Sequence, residues 1–494
     1  MSVRLFCLIH KLYNMNTNFD ENLNVWVEKK REALELSNIC STLEFDKKTD
    51  LVLFRRKLSD KSVTEIINYH EYAEQFADMA IDTTTTLTIA REIAELDLAP
   101  SRIDLGRLAK EWIQEGSKYS SAADFVNEKL QNFIGKDKKQ IEPKDVVLFG
   151  FGRIGRLVAR MISEESGSQL RLKAIVIRMK NEEELIKRAY LLKKDSIHGQ
   201  MKGTVAYDVE KGILITNGQQ IKVITESDPA NIDYTKYGIN DALLIDSTGV
   251  FRTEEQLSQH LKSKGIAKVL LTAPGKGTMP NIVYGVNHKE FDITKHNIYS
   301  AASCTTNAIV PVLKVLDETY GIESGHIETV HAFTNDQNLV DNFHKSSRRG
   351  RSAPMNMVIT ETGAASAAVK ALPQLKGKLT ANAVRVPIPN VSLAILALRL
   401  KKETSLEDMN ATIKNAATHG DLIEQIDYSV STELVSTDVI GNSHALEYDS
   451  NATIISEDKK SATIYAWYDN EFGYTCQVIR LAKYISNVIR LTYY

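Results

Sequence analysis

The chain is poor in cysteine: Cys7, Cys40, Cys304 and Cys476 are the four it has in 494 residues, and no two form a CxxC pair. Thiols so widely spaced suggest neither a disulfide framework nor a zinc site, so no metal is expected and a reducing, cytoplasmic setting is the simplest reading. It also lacks a charge imbalance. With 61 Lys+Arg against 63 Asp+Glu there is no bulk field to draw the chain to nucleic acid or to an acidic membrane surface. No stretch approaches the roughly 18 uninterrupted apolar residues of a membrane span. The opening MSVRLFCLIHKLYNMN has an apolar part broken by His10 and Lys11 and no small-residue cleavage site after it. It is read as neither span nor signal peptide, with Met15 as an alternative start. What is there, 43% hydrophobic and 25% charged residues over a length that allows two or three domains, is the profile of an ordinary globular protein.

Three regions follow one another. Residues 1–143 are expected to be a helical extension ending in a linker. NLNVWVEKKREALELSNICSTLEF and VTEIINYHEYAEQFADMAI carry apolar residues at three- and four-residue intervals, and SRIDLGRLAKEWIQEG reads as a helix capped by Ser101 and stopped at Gly116. The charged segment Gly135–Asp145, with Pro143, is the linker. Residues 144–303 alternate short apolar runs (VVLF, LKAIVIRM, ALLIDSTGVF, AKVLLTAPG) with helical stretches, the mark of a parallel α/β sheet of the Rossmann type. Residues 304–471 show longer, alternating strands and are expected to form an α+β domain on a mainly antiparallel or mixed sheet. A last helix, 472–494, is expected to pack back on the parallel-sheet domain.

Gly150-Phe151-Gly152-Arg153-Ile154-Gly155 fits G-x-G-x-x-G between a strand and a helix. In that setting Gly150 permits the tight turn, Gly152 lets backbone N–H groups approach a pyrophosphate, and Gly155 lets helix and strand pack closely. A purely structural glycine turn is the competing reading. Arg153 would add a cation near the phosphates. Where an NAD enzyme carries an acid for the adenosine ribose, this chain has Arg178-Met179-Lys180-Asn181, and its first acids are Glu182 to Glu184. Two cations there accommodate a 2′-phosphate, unless Arg178 and Lys180 are only solvated loop charges.

Cys304 stands in SCTTN, directly ahead of a run with the apolar spacing of a helix that ends at Gly321. A thiol at a helix N-terminus meets free N–H groups and the positive end of the dipole, which favour a thiolate and an oxyanion on an attached carbon. Pro311 fits that helix poorly. His331, on the alternating strand HIETVHAFT, follows at a separation that suits a helix, a turn and a returning strand; it is the candidate base, although a histidine on a strand is often structural.

Taken together, GFGRIGR, DSIHG, DSTGVF, TAPGKG, GVNH, SCTTN, TNDQ, TGAA, RVPIPNVS and WYDNEFGY resemble the phosphorylating glyceraldehyde-3-phosphate dehydrogenase family, over about Asp145 to Ser486. The resemblance implies that Cys304 is the nucleophile and His331 the general base. It implies that Thr334 and Arg385 hold the substrate phosphate, and that Ser303, Thr362 and Arg349 hold inorganic phosphate, with Thr305 and Gly363 in the same loops. It further implies that Asn470 bonds the nicotinamide carboxamide with Tyr474 nearby, and that Arg153, Ile154, Thr248 and Thr272 line the dinucleotide. The implied reaction converts glyceraldehyde 3-phosphate, inorganic phosphate and NAD or NADP to 1,3-bisphosphoglycerate through a cysteine thioester, in glycolysis or gluconeogenesis, and the implied assembly is a homotetramer. Phe149 and Ala301 replace asparagines usual in the family. Met179-Lys180 replace Asn-Asp, which points to NADP or dual use. The alternatives are an erythrose 4-phosphate dehydrogenase and a non-catalytic nucleotide- or RNA-binding relative; near-neutral charge and the intact Cys304 and His331 speak against the latter.

Overall fold

The structure, a computed structural model, describes residues 19–494 apart from Asp78 and Ser166; the opening stretch weighed above lies outside the described residues. The chain divides into two units, Ile141–Ile489 and a smaller one that runs to Gln140 and also takes in Arg490–Tyr494. No described helix is long and apolar enough to cross a membrane.

The smaller unit is built on helices and, unlike the expectation, also on a sheet. Its long helix Phe19–Lys47 buries Ala33, Leu36, Cys40 and Leu43, a three- and four-residue spacing that lays one stripe against its neighbours. The four-stranded sheet runs Arg56–Lys57, Asp50–Leu53, Ser101–Asp104 and Leu491–Tyr493. Ser101 therefore opens a strand rather than capping a helix. The helix starts at Leu105, and its cap is Asp104, whose carboxylate accepts the Arg107 N–H at 3.1 Å and the Phe54 N–H at 2.9 Å. Burial pushes that carboxyl up to about 6 despite these bonds. Strands of four residues are too short to show an alternation, and one partner comes from the far end of the chain, so the sheet left no local sign in the sequence.

The larger unit holds two eight-stranded sheets. The first is parallel from Ile298–Ser300 through Ile266–Leu271, Ala242–Asp246, Lys144–Phe149 and Leu170–Ile177 to Gln219–Thr225, then ends in two antiparallel strands. Its central strands are buried on both faces, so successive residues feed different cores: Val146 and Leu148 pack into one, Val147 and Phe149 into the other. That is why they read as continuous apolar runs. The helix Arg153–Glu164 covers one face together with Phe472–Ile485, whose Val478, Ile479, Leu481 and Ala482 join the same core. This last helix is shorter than expected. It ends at Ile485 because Asn487 adopts a left-handed φ of 56°, and the residues beyond turn into the strand of the smaller unit.

The second sheet is mixed: Ile322–Ala332 pairs in parallel with Leu379–Val386 and antiparallel with Ser392–Leu400, which pairs with Ser461–Tyr468. The helix Cys304–Tyr320 leads into its central strand and runs unbroken through Pro311.

Candidate active site

Cys304 is the first residue of its helix, and the turn that places it there is strained. Ala302 sits at φ 56°, a left-handed conformation that costs a non-glycine residue about 1–2 kcal/mol. Its N–H donates to Ser300 Oγ at 3.1 Å, and its carbonyl accepts the buried Tyr474 hydroxyl at 3.0 Å. The Asn307 amide donates to the Ala301 and Ser303 carbonyls at 2.8 and 2.9 Å. Ser303 caps the helix by accepting the Thr306 N–H at 3.1 Å. The small polar residues around the cysteine are thus first a frame for the turn.

His331 is delivered by the next strand. Its Nε2 lies 3.6 Å from Cys304 Sγ, and its ring is buried. Directly opposite in the parallel register stands Arg385, whose Nη1 lies 2.8 Å from His331 Nδ1 and donates to the Ala332 carbonyl at 2.9 Å. Burial, then the Arg385 charge, push the imidazole down to about 3, so it is a neutral base at ordinary pH. Burial also raises the thiol above its usual range, outweighing Arg385 and the Thr305 hydroxyl, which act the other way. The expected lowering by the helix end is therefore overcome by desolvation, and the resting pair is a thiol beside a neutral imidazole. Tyr468, which the sequence reading did not single out, backs the pair. Its hydroxyl, held protonated by burial, lies 2.9 Å from Thr305 Oγ1 and 2.7 Å from Thr329 Oγ1.

Three further threonines and an arginine lie in the segments that follow His331. Thr334 donates to Asp336, and Arg349 donates to the other oxygen of the same carboxylate and, through Nε, to Thr360 at 3.1 Å. Thr362 accepts the Ala364 N–H at 3.3 Å just before the helix Ala364–Ala371, for which Gly363 is the cap. Among the described residues no hydrogen bond joins Thr362 or Ser303 to Arg349.

The glycine turn divides its labour as expected of a phosphate-binding turn. Gly150 has φ 97°, and a side chain there would meet Thr248 at 2.9 Å; one on Gly155 would meet the Gly150 carbonyl at 2.6 Å. Gly152, by contrast, faces open space within 4 Å, at the N-terminus of the helix Arg153–Glu164. That cradle fits a dinucleotide pyrophosphate. Thr248 and Thr272 flank it at the carboxyl ends of neighbouring strands, the first bonded to the buried Asp246 carboxylate at 2.7 Å, the second to the Asp246 carbonyl at 3.1 Å. The strand order reverses here, as ligand crevices in such sheets require. Ile154 packs into the core beneath. Arg153 is placed differently from a free phosphate cation: it bonds Asp195 at 2.5 and 2.9 Å and Glu471 at 2.5 Å, and His198 adds a contact to Glu471 at 3.1 Å. Asn470 accepts the Ser392 hydroxyl at 3.0 Å, which leaves its amide NH₂ to donate. Tyr468, Glu471, Asp195 and Asp336 all lie inside the motifs quoted above, and their bonds to Thr305 and Thr329, to Arg153, and to Thr334 and Arg349 are what a one-dimensional reading missed.

At the adenosine end Arg178 and Lys180 are exposed. Glu184 folds back so that its carboxylate accepts the Lys180 N–H at 3.3 Å, and Arg188 donates to the Arg178 carbonyl at 3.2 Å while standing 3.7 Å from Glu184.

Two family models match the chain. "Glyceraldehyde 3-phosphate dehydrogenase, NAD binding domain" covers residues 144–254, and "Glyceraldehyde 3-phosphate dehydrogenase, C-terminal domain" covers residues 303–470. A "Glyceraldehyde-3-phosphate dehydrogenase-like protein" of Pseudomonas aeruginosa (strain UCBPP-PA14) is 52% identical over 438 residues, 88% of this chain and 94% of its own length. That is more residues than the larger unit holds, so the match reaches into the smaller one. "Glyceraldehyde-3-phosphate dehydrogenase 2" of Bacillus subtilis (strain 168) is 41% identical over 341 residues, 69% of this chain and 96% of the relative. The enzyme of Zymomonas mobilis is 40% identical over 347 residues, 70% of this chain and 99% of the relative.

Proposed function

Since the chain belongs to the glyceraldehyde-3-phosphate dehydrogenase family, and so is an NAD(P)-dependent oxidoreductase acting on an aldehyde, we propose that it is the phosphorylating enzyme of that family. The observation that carries this reading is Cys304 Sγ 3.6 Å from His331 Nε2, at a helix N-terminus and beside two arginines. His331, neutral, takes the thiol proton. The thiolate attacks the aldehyde carbon, the carbonyl π pair moves to oxygen beside the helix N–H groups, and the imidazolium returns its proton to give a hemithioacetal. The nicotinamide, when bound, supplies the acceptor for the hydride. His331 removes the hydroxyl proton as the hydride leaves, and the product on Cys304 is a thioester. Inorganic phosphate then attacks that carbon and expels the thiolate as an acyl phosphate forms. Thr334 and Arg385 would hold the substrate phosphate; Ser303, Thr362 and Arg349, with Thr305 and Gly363 in the same loops, would hold the attacking one, since forked guanidinium bonds suit both. Asn470 would orient the carboxamide, with Tyr474 fixing the turn below; the cradle at Gly150, Gly152, Arg153, Ile154 and Gly155, with Thr248 and Thr272, would take the dinucleotide.

The exposed cations Arg178 and Lys180 support use of both cofactors with a lean to NADP, while Glu184, 3.7 Å from Arg188, tempers it. A homotetramer is supported by the segment around Phe343, which leaves Leu339, Val340, Phe343, Met355 and Met357 exposed, Phe343 by 91%. Free cysteines fit a cytoplasmic, glycolytic or gluconeogenic enzyme. The test is reduction of NAD and NADP with glyceraldehyde 3-phosphate, with and without inorganic phosphate, beside erythrose 4-phosphate as competitor substrate. Turnover that needs no phosphate, or that favours the four-carbon aldehyde, refutes the proposal.

A further inference from the structure

The donors assigned to the two phosphate pockets already hold an anion of their own. Thr334, from the substrate pocket, and Arg349, from the inorganic-phosphate pocket, bond one oxygen each of the Asp336 carboxylate. Arg385 lends a second positive charge, and it is itself engaged by His331 and the Ala332 carbonyl. Burial works against a charged Asp336, but the Thr334 hydroxyl, Arg349 and Arg385 more than offset it, so the carboxylate stays ionised. Two oxygens on a trigonal carbon, one taking a hydroxyl and the other a guanidinium, reproduce half of what a phosphate would ask of the same groups. Asp336 is exposed enough to swing away: its side chain keeps 42% of its surface in solvent, against 22% for Arg349.

We propose that Asp336 is an internal counter-anion that occupies the phosphate-binding donors of the resting site and couples its two pockets. This rests on the assignment of Thr334 and Arg349 to those pockets. A phosphate entering the first must break the Thr334–Asp336 bond, and one entering the second must break the Arg349–Asp336 bond. Once either has displaced the carboxylate, the other donor is already released, so the second anion binds without paying for that separation again. Asp336 is a positioning residue in this account; it touches no reacting atom. The dianions of substrate and inorganic phosphate would otherwise repel each other, and an exchangeable carboxylate lets the empty site keep its arginines in place without a permanent negative charge facing the ligand.

The experiment titrates inorganic phosphate into full-length wild type, Asp336→Asn and Asp336→Ala by calorimetry, and measures KM for phosphate in the oxidation assay. Removing a like charge a few ångströms from the anion is expected to tighten phosphate by about tenfold in both variants, with KM for phosphate falling in parallel while kcat changes less. A residue that merely orients Thr334 and Arg349 gives the opposite pattern: phosphate weaker in Asp336→Ala and near wild type in Asp336→Asn. That result, or an unchanged affinity in both, overturns the proposal. A wild type that binds no phosphate and oxidises without it overturns this reading and the proposed function together; a phosphate-saturable wild type with insensitive variants overturns this one alone.

Discussion

The two ends of the cleft in the larger unit are built by opposite means. At the sulfur end, groups are held by buried partners: the Ala302 backbone by Ser300 and Tyr474, Cys304 by its place on the helix, His331 by Arg385 and the Ala332 carbonyl. At the adenosine end, Arg178 and Lys180 stand in solvent and the bonds run through the backbone, to the Lys180 N–H and from Arg188 to a carbonyl. Groups in the first setting interact in a low dielectric, where a single charge or hydrogen bond moves a pKa by several units. Groups in the second are screened by water and counterions, and each pair is worth little. Chemistry is therefore expected to fail abruptly at one end and to drift at the other.

The largest effect should come from Cys304→Ser. A serine hydroxyl in the same place is a far weaker nucleophile and cannot form the thioester, so oxidation should fall to background while cofactor binding, read by fluorescence of the reduced dinucleotide, persists. Turnover near wild type would remove the covalent mechanism altogether.

Next is His331→Asn, expected to slow turnover by about 10²- to 10⁴-fold, the range of a lost general base. A companion measurement examines the resting pair. Because burial lifts the Cys304 thiol and depresses His331 to about 3, alkylation of the ligand-free enzyme should climb with pH through the neutral and alkaline range, with no inflection near the ordinary imidazole value of 6.5. A flat rate from acid pH upward would mean that the proton has already passed to His331 and that the helix end outweighs desolvation. The stability sign runs with the same groups. An imidazole whose folded pKa lies below its unfolded one makes folding less favourable as pH falls from 6.5 towards 3, and His288, pushed down to about 4 chiefly by burial, acts in the same direction.

What could be read in the sequence follows the same division. The glycine turn, the helix that starts at Cys304 and the strand that returns His331 each carry a local pattern, and the motif set tied them to one family. The parallel sheet was visible because strands buried on both faces must be continuously apolar. The roles of Asp336, Tyr468 and the Arg153–Asp195–Glu471 group were not visible, because each depends on partners brought together only by the fold, across up to 318 residues for Arg153 and Glu471. The smaller unit was read as helical for a related reason. Its strands are four residues or fewer, and one of them, Leu491–Tyr493, lies at the other end of the chain.

That distant strand supplies a control for the comparison. Arg490 forms an ion pair with Asp50, both side chains no more than 10% exposed, inside the smaller unit. Arg490→Ala removes one cation from a buried ion pair and should destabilise that unit by about 3 kcal/mol, the low end for a broken buried pair because Lys57 stands 4.0 Å from the same carboxylate. Hydrogen exchange should show the loss in Asp50–Leu53 and Ser101–Asp104, with phosphate-dependent oxidation retained. Lost activity in a variant whose larger unit exchanges as in wild type would tie the smaller unit to the chemistry.

The smallest expected effect belongs to the adenosine end, and it is the one that measures how far the two ends differ. With no acid at Met179 or Lys180, a 2′-phosphate meets two exposed cations, each worth about 0–1 kcal/mol. Glu184, bonded to the Lys180 N–H, is near enough to offer a ribose hydroxyl a carboxylate, but Arg188 at 3.7 Å draws on the same charge. Lys180→Asp removes one cation and adds one acid, so both changes favour the unphosphorylated ribose. The ratio of NAD to NADP efficiency should rise by about tenfold, and increasing the ionic strength should shrink the change, since exposed charges are screened over a Debye length of about 8–10 Å. A wild type that strongly prefers NAD, with a ratio that Lys180→Asp leaves alone, would mean that Glu184 alone reads the ribose. Glu184→Gln would then carry the loss of NAD that Lys180 could not, and the adenosine end would be as tightly determined as the sulfur end.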